Sequence, residues 1–151
     1  MSDDDFFASR ILLVDDQPAN LRLLEELLSR EGFTNVVSTT EPEQALSIYA
    51  AFDPDLIVLD LMMPTLSGYA VLERIERQRL PDEYRPVLVL TADATHQAKH
   101  RALALGAKDF VTKPFDTVEA MLRVWNLLET RHLYKRLKRL IPDAVNLPVR
   151  R

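Results

Sequence analysis

The sequence predicts a doubly wound α/β sandwich of five βα units, and two observations carry that prediction. Three apolar runs, Ile11-Leu12-Leu13-Val14, Leu56-Ile57-Val58-Leu59 and Val87-Leu88-Val89-Leu90, show no polar alternation. Unbroken apolar strands belong to a parallel sheet covered on both faces. Helical patterns separate these runs from one another and from two shorter candidates, Asn35-Val36-Val37-Ser38 and Asp109-Phe110-Val111-Thr112. Strands and helices that alternate through right-handed crossovers leave few other topologies.

The helices follow in order. The first runs from Pro18, a favoured first helical residue, through Leu21, Leu24 and Leu28, and stops near Gly32. The second opens on Thr40 and Glu43, spaced as in a capping box, and turns Ala45, Leu46 and Tyr49 inward. A third covers about Tyr69 to Arg79 and buries Val71, Leu72 and Ile75; a fourth, from about Thr95 to Leu105, closes at Gly106. The fifth begins at Asp116 and continues past Trp125 to about Leu140, where Pro142 ends it.

A length of 151 residues suits one domain with a modest extension. Cys is absent, which excludes disulfides and thiolate metal sites. Met1-Ser2-Asp3-Asp4-Asp5 lacks the features of a signal peptide, and no apolar run is long enough to span a bilayer. A cytoplasmic setting without membrane contact is expected, with residues 1–8 a disordered acidic N-terminus. Net charge is −4, but residues 131–151 hold seven Lys/Arg against Asp143, a net +6 that leaves −10 for the rest. That tail carries no nucleic-acid reading motif, so a solvated helix face or linker is the better reading than direct nucleic-acid binding.

Doubly wound sheets bind their ligands at the carboxyl ends of the strands. There the sequence places Asp15 and Asp16 after the first run, Asp60 after the third strand, Thr91 after the fourth and Lys113 after the fifth. Crowded carboxylates raise one another's pKa unless a cation neutralises them. Oxygen-only ligands fit a hard divalent ion, Mg²⁺ foremost. Lys113 and Thr91 would then donate to phosphate oxygens on the other side. Taken singly, each residue has an ordinary explanation: a turn former, a helix cap, a solvated loop charge. Five of them at one edge of one sheet do not.

Ile11-Leu12-Leu13-Val14-Asp15-Asp16, then Leu59-Asp60-Leu61-Met62-Met63-Pro64 with Gly68, then Leu90-Thr91-Ala92, then Lys113-Pro114-Phe115 form one ordered set. In order, spacing and strand context it resembles the receiver domain of bacterial two-component response regulators. The resemblance covers about residues 9–129, leaving 130–151 as a helical extension or linker with a basic tail. It implies a flavodoxin-like (βα)₅ fold, a five-stranded parallel sheet in the order 2-1-3-4-5, with an extended C-terminal helix. It also implies that Asp60 is a phosphoacceptor, attacking a phosphohistidine on a sensor histidine kinase or phosphotransfer protein. Asp16 and Asp60 would ligate Mg²⁺ directly with the Met62 carbonyl, Asp15 would act mostly through water, and Thr91 and Lys113 would stabilise the phosphoryl oxygens. Phe110 is either a permanent core residue or the aromatic that turns inward as Thr91 moves toward the phosphoryl group. Pro114 matches the family's cis proline, while Met62 and Asp93 flank the route of water in dephosphorylation. Such a chain is a signalling switch rather than an enzyme, catalysing only its own phosphorylation and slow autodephosphorylation.

Other classes fit less well. A dinucleotide-binding module needs a glycine-rich turn after the first strand, and Gly32, Gly68 and Gly106 all lie elsewhere. Hydrolases with an Asp nucleophile usually place a second Asp two residues on, where this chain has Met62. The complete set of five polar residues also argues against a degenerate receiver. Lys99, Asp109, Glu119 and Arg123 lie on the fourth helix, fifth strand and fifth helix. They match charges that pair across the two-fold dimer of receivers in winged-helix transcription regulators, Lys99 with Glu119 and Asp109 with Arg123. Leu133, Leu137 and Leu140 continue a short seam beyond them. A homodimer strengthened by phosphorylation is therefore expected, acting on an effector domain in a longer chain or on a separate partner.

Overall fold

A computed structural model of the chain describes residues 3–63 and 66–142. Pro64 of the acceptor loop, and Asp143, Pro148, Arg150 and Arg151 of the tail, lie outside the described residues. The elements run α1 (Asp3–Phe7), β1 (Arg10–Val14), α2 (Pro18–Glu31), β2 (Asn35–Thr39), α3 (Pro42–Phe52) and β3 (Leu56–Asp60). They continue with α4 (Gly68–Gln78), β4 (Val87–Thr91), α5 (His96–Ala104), β5 (Asp109–Thr112) and α6 (Thr117–Leu140). Five strands form one parallel sheet in the order β2-β1-β3-β4-β5.

Strand alternation divides each unbroken apolar run between two cores. Ile11, Leu13, Leu56, Val58, Leu88 and Leu90 face α2 and α6, meeting Leu24, Leu28, Val124 and Leu128. Leu12, Val14, Ile57, Leu59, Val87 and Val89 face the other way, onto Tyr49, Val71, Leu72, Ile75 and Ala102 of α3, α4 and α5. The central strands are apolar throughout because both of their faces are covered. None of the described helices is long and apolar enough to cross a membrane.

Two sequence expectations need correction. The stretch expected to be disordered over 1–8 instead contains α1, whose Phe6 is buried against Phe33 and Trp125 at ring-centroid distances of 5.6 and 4.5 Å. Three acidic residues masked an apolar pair, Phe6-Phe7, that has a core to enter. The capping box is not formed: α3 is capped at Glu41 with no side-chain bond, because Pro42 takes the first helical position. Thr39 Oγ1 accepts from the Glu41 N–H at 3.1 Å instead. The last helix runs unbroken across residues 129 and 130, as its sequence pattern predicts, and its Arg131 is buried beside Asp55.

Two glycines are fixed by close approach. A Cβ on Gly68 would lie 2.2 Å from the Asp60 carbonyl oxygen and 2.4 Å from Leu61 Cα, so α4 starts hard against the end of β3. Gly32 closes α2 at φ 108°, donating to the Leu28 and Ser29 carbonyls.

Candidate functional site

Strand register assembles the site. Val14 lies opposite Leu59, Asp60 opposite Leu90 and Thr91 opposite Thr112, so the residues ending β1, β3, β4 and β5 emerge at one edge. Carboxylate oxygens of Asp15, Asp16 and Asp60 all come within 4.8 Å of one another. Lys113 reaches in from the loop after β5, its Nζ 2.8 Å from Asp15 Oδ2 and 3.5 Å from Asp60 Oδ2. The Lys113–Pro114 peptide is cis, and the Lys113 N–H donates to the Thr91 carbonyl at 2.7 Å. Thr91 is fully buried, and its Oγ1 accepts from the Asp93 N–H at 3.2 Å. Asp93 in turn accepts from the Thr95 N–H at 3.0 Å, at the start of α5.

The three carboxylates are in different electrostatic situations. Asp15 is occupied: Oδ1 accepts from the Gln17 N–H at 2.9 Å, and Oδ2 accepts from Lys113 Nζ and from Asn20 Nδ2 at 3.3 Å. Asp16 Oδ1 is buried and has no hydrogen-bond partner among the described residues. A buried carboxylate oxygen with no donor is suited to a cation. Asp60 is buried too, and burial pushes its carboxyl up to about 6. The Met62 N–H, donating to Oδ1 at 3.1 Å, and the Lys113 charge offset that rise only in part, while the Asp15 charge adds to it.

Oxygen-only donors, one of them an orphaned carboxylate oxygen, suit a hard divalent cation. Asp16 and Asp60 have ligand capacity to give, whereas Asp15 has spent its own on protein donors. The Met62 side chain is 59% exposed and covers no core. Above the carboxylates lies a cleft of about 440 Å³, rimmed by Gln17, Asn20, Leu23, Met62, Pro114 and Phe115. Sequence reasoning missed Asn20 and Gln17. The available signal was Asn20 lying within one turn of Pro18, on a helix that starts beside Asp15.

The remaining expected residues sit away from the cleft. Phe110 is half-buried at the margin of the core under α3–α5, with Lys99 Nζ 5.5 Å above its ring. Arg123 Nη1 donates to both Asp109 oxygens at 3.0 and 2.9 Å, and its Nε donates to Glu119 at 3.1 Å. Within one chain, Asp109 and Arg123 are thus already paired, and Glu119 is engaged by Arg123 rather than by Lys99.

A doubly wound sheet carrying an acidic cluster, a buried hydroxyl and an ammonium at its carboxyl edge is the arrangement that the resemblance to signalling receivers implied. The family model for the response regulator receiver domain matches residues 11–124, and the chain belongs to that family. It is 40% identical over 119 residues to the alkaline phosphatase synthesis transcriptional regulatory protein PhoP of Bacillus subtilis, covering 79% of this chain and 48% of that protein. It is 36% identical over 126 residues to the response regulator SaeR of Staphylococcus aureus, covering 83% and 53% respectively. The solved signal receiver domain of an HD domain-containing protein from Pseudomonas fluorescens Pf-5 matches with a TM-score of 0.74 and 30% identity, over 82% of this chain and 97% of that one. The chain spans about half the length of the curated relatives it matches.

Proposed function

We propose that this receiver is a Mg²⁺-dependent phosphoacceptor in which Asp60 takes a phosphoryl group from a sensor histidine kinase or a phosphotransfer protein. The observation that carries the reading is the pairing of Asp60, its pKa raised by burial, with a buried Asp16 oxygen that no protein donor satisfies. An Asp60 oxygen attacks phosphorus, the donor's N–P bond breaks, its electron pair leaves with the imidazole nitrogen, and an acyl phosphate forms. No general base is required, because an ionised carboxylate has no proton to lose. Asp16, Asp60 and the Met62 carbonyl would hold Mg²⁺, with Asp15 acting through water. Bound there, the ion neutralises charge on the phosphoryl oxygens. Lys113 moves from Asp15 onto a phosphoryl oxygen, and the Thr91 hydroxyl donates to another.

The product is a switch. The half-buried ring of Phe110 would turn inward when Thr91 is drawn toward the phosphoryl group. That movement alters the face made by α5, β5 and α6, where Lys99, Asp109, Glu119 and Arg123 would set the register of a two-fold homodimer. The output is an effector domain in a longer chain or a separate partner. The half-length match to PhoP and SaeR supports the former. Met62 stands where a hydrolase would carry its second acid, which leaves autodephosphorylation slow. The setting is cytoplasmic, where kinase and nucleotide are found.

Incubation with acetyl phosphate and Mg²⁺ should add one phosphoryl group, read as intact mass. Asp60→Asn should take up none. Full labelling of that variant would remove Asp60 from its role.

A further inference from the structure

We infer that Asn20 is a positioning residue for the metal site, its amide holding Asp15 in place while Lys113 changes partner. The inference rests on the phosphoacceptor reading above. Asn20 lies in the first turn of α2, and its Nδ2 donates to Asp15 Oδ2 at 3.3 Å and to Gln17 Oε1 at 3.1 Å. The Asp15 carboxylate offers only acceptors, which fixes which end of the Asn20 amide faces it. Asp15 Oδ2 thus has two side-chain donors, the Asn20 amide and the Lys113 ammonium at 2.8 Å.

Those two donors differ in what phosphorylation does to them. Lys113 Nζ already lies 3.5 Å from Asp60 Oδ2, and a phosphoryl group on that carboxylate adds negative oxygens that draw it across. Asp15 then keeps the Gln17 N–H on Oδ1 and the Asn20 amide on Oδ2. Without Asn20, one bond remains and the carboxylate is free to rotate about its Cβ–Cγ axis. A neutral amide also orients Asp15 without repelling a nearby cation, which a second ammonium would do. Groups that orient ligands in this way commonly decide metal affinity as much as the ligands themselves.

A local role gives a different result. If Asn20 only steadies the start of α2 through Gln17, its loss lowers metal-free stability and leaves Mg²⁺ affinity alone. Asn20→Leu keeps the branching at Cγ and removes the donor; Asn20→Ala, a good helix former, serves if Leu folds poorly. Mg²⁺ titration of the metal-free protein, followed by amide NMR shifts, should show affinity weakened about tenfold or more in both variants. Phosphorylation by acetyl phosphate should need correspondingly more Mg²⁺, yet reach within about twofold of the wild-type rate at saturation. Wild-type Mg²⁺ affinity in a folded variant overturns the inference. So does a rate loss that saturating Mg²⁺ fails to restore. Absence of any Mg²⁺ response in the wild type defeats the acceptor-site reading itself, a result distinct from both.

Discussion

Asp55 and Asp60 stand at the two ends of β3, both buried, and their environments treat them in opposite ways. At Asp55, burial pushes the pKa up, but the Arg10 N–H at 2.9 Å and the charges of Lys135 and Arg131 more than offset it, leaving it below the usual carboxylate range. Arg131 Nε lies 3.2 Å away and Lys135 Nζ 3.3 Å away, both from α6. At Asp60 burial wins, and the carboxyl is held near 6. Residue type and burial are the same; the supply of donors differs. The amply paired carboxylate fastens α6 beneath the sheet, and the sparsely paired one keeps the raised pKa that the proposed acceptor role draws on.

The largest expected effect comes from breaking the satisfied end. Asp55→Ala strands the buried Arg131 guanidinium, so urea unfolding should show a loss of about 3–5 kcal/mol. The end of α6 should loosen as well, since the stacked rings of Tyr84 and Tyr134 and the Lys138–Asp82 pair at 2.7 Å depend on the same placement. A loss below about 1 kcal/mol would mean that the fastening adds no more than a surface pair does. Because its folded pKa is depressed, the Asp55 contribution is present above the ordinary value of 3.8 and fades as pH falls through the folded one.

At the other end of β3 the sign reverses. The folded pKa of Asp60, about 6, exceeds the ordinary 3.8, so without metal the folded chain holds the proton more tightly than the unfolded chain does. Wild-type stability from this group should therefore fall as pH rises between those two values. Asp60→Asn removes that slope and should stabilise the metal-free protein at pH 7 by about 1–3 kcal/mol. A destabilised Asp60→Asn would contradict the comparison directly. Mg²⁺ bound as proposed would supply the missing charge by another route: at a hundredfold excess over its dissociation constant it should stabilise the wild type by about 2.7 kcal/mol. Asp16→Ala should lose most of that response in a thermal melt. An equal response would return Asp16 to the status of a turn former.

The two ends were not equally legible in the sequence. The carboxyl edge was readable because Asp60 and Thr91 end strands and Asp15, Asp16 and Lys113 lie within two residues of a strand end, and the topology rule brings strand ends together. Asp55 precedes its strand by one residue and sits within Asp53-Pro54-Asp55, which reads as an ordinary turn. Its partners Arg131 and Lys135 are far along the chain in a basic helix, where charge reads as solvated surface. The α1 helix was hidden for a related reason: five residues with three Asp have little helical preference, and contacts of Phe6 and Phe7 to Phe33 and Trp125 hold them. Local rules found what local order encodes, and missed contacts made by tertiary packing alone.

The smallest effect concerns a surface that belongs to neither end. Arg123 closes on Asp109 and Glu119 within one chain and is 38% exposed, so Arg123→Glu should cost the monomer about 0–1 kcal/mol. Its effect on assembly should be larger in proportion. Two copies meeting through α5, β5 and α6 would exchange the internal Asp109–Arg123 pair for an equivalent one across the two-fold axis. Little net energy is gained, but a charge reversal puts like charges opposite each other. Association must then come from apolar surface, and Leu133, Leu137 and Leu140 are exposed along α6 to supply it. Truncation after Thr130 would be a poor probe, since it also removes Arg131 from Asp55. Leu137→Glu leaves that fastening intact. Light scattering should show the wild type shifting toward dimer with a phosphoryl mimic, Arg123→Glu shifting less and Leu137→Glu least. A monomer under every condition sinks the dimer, and a dimer indifferent to both substitutions places the interface on another face.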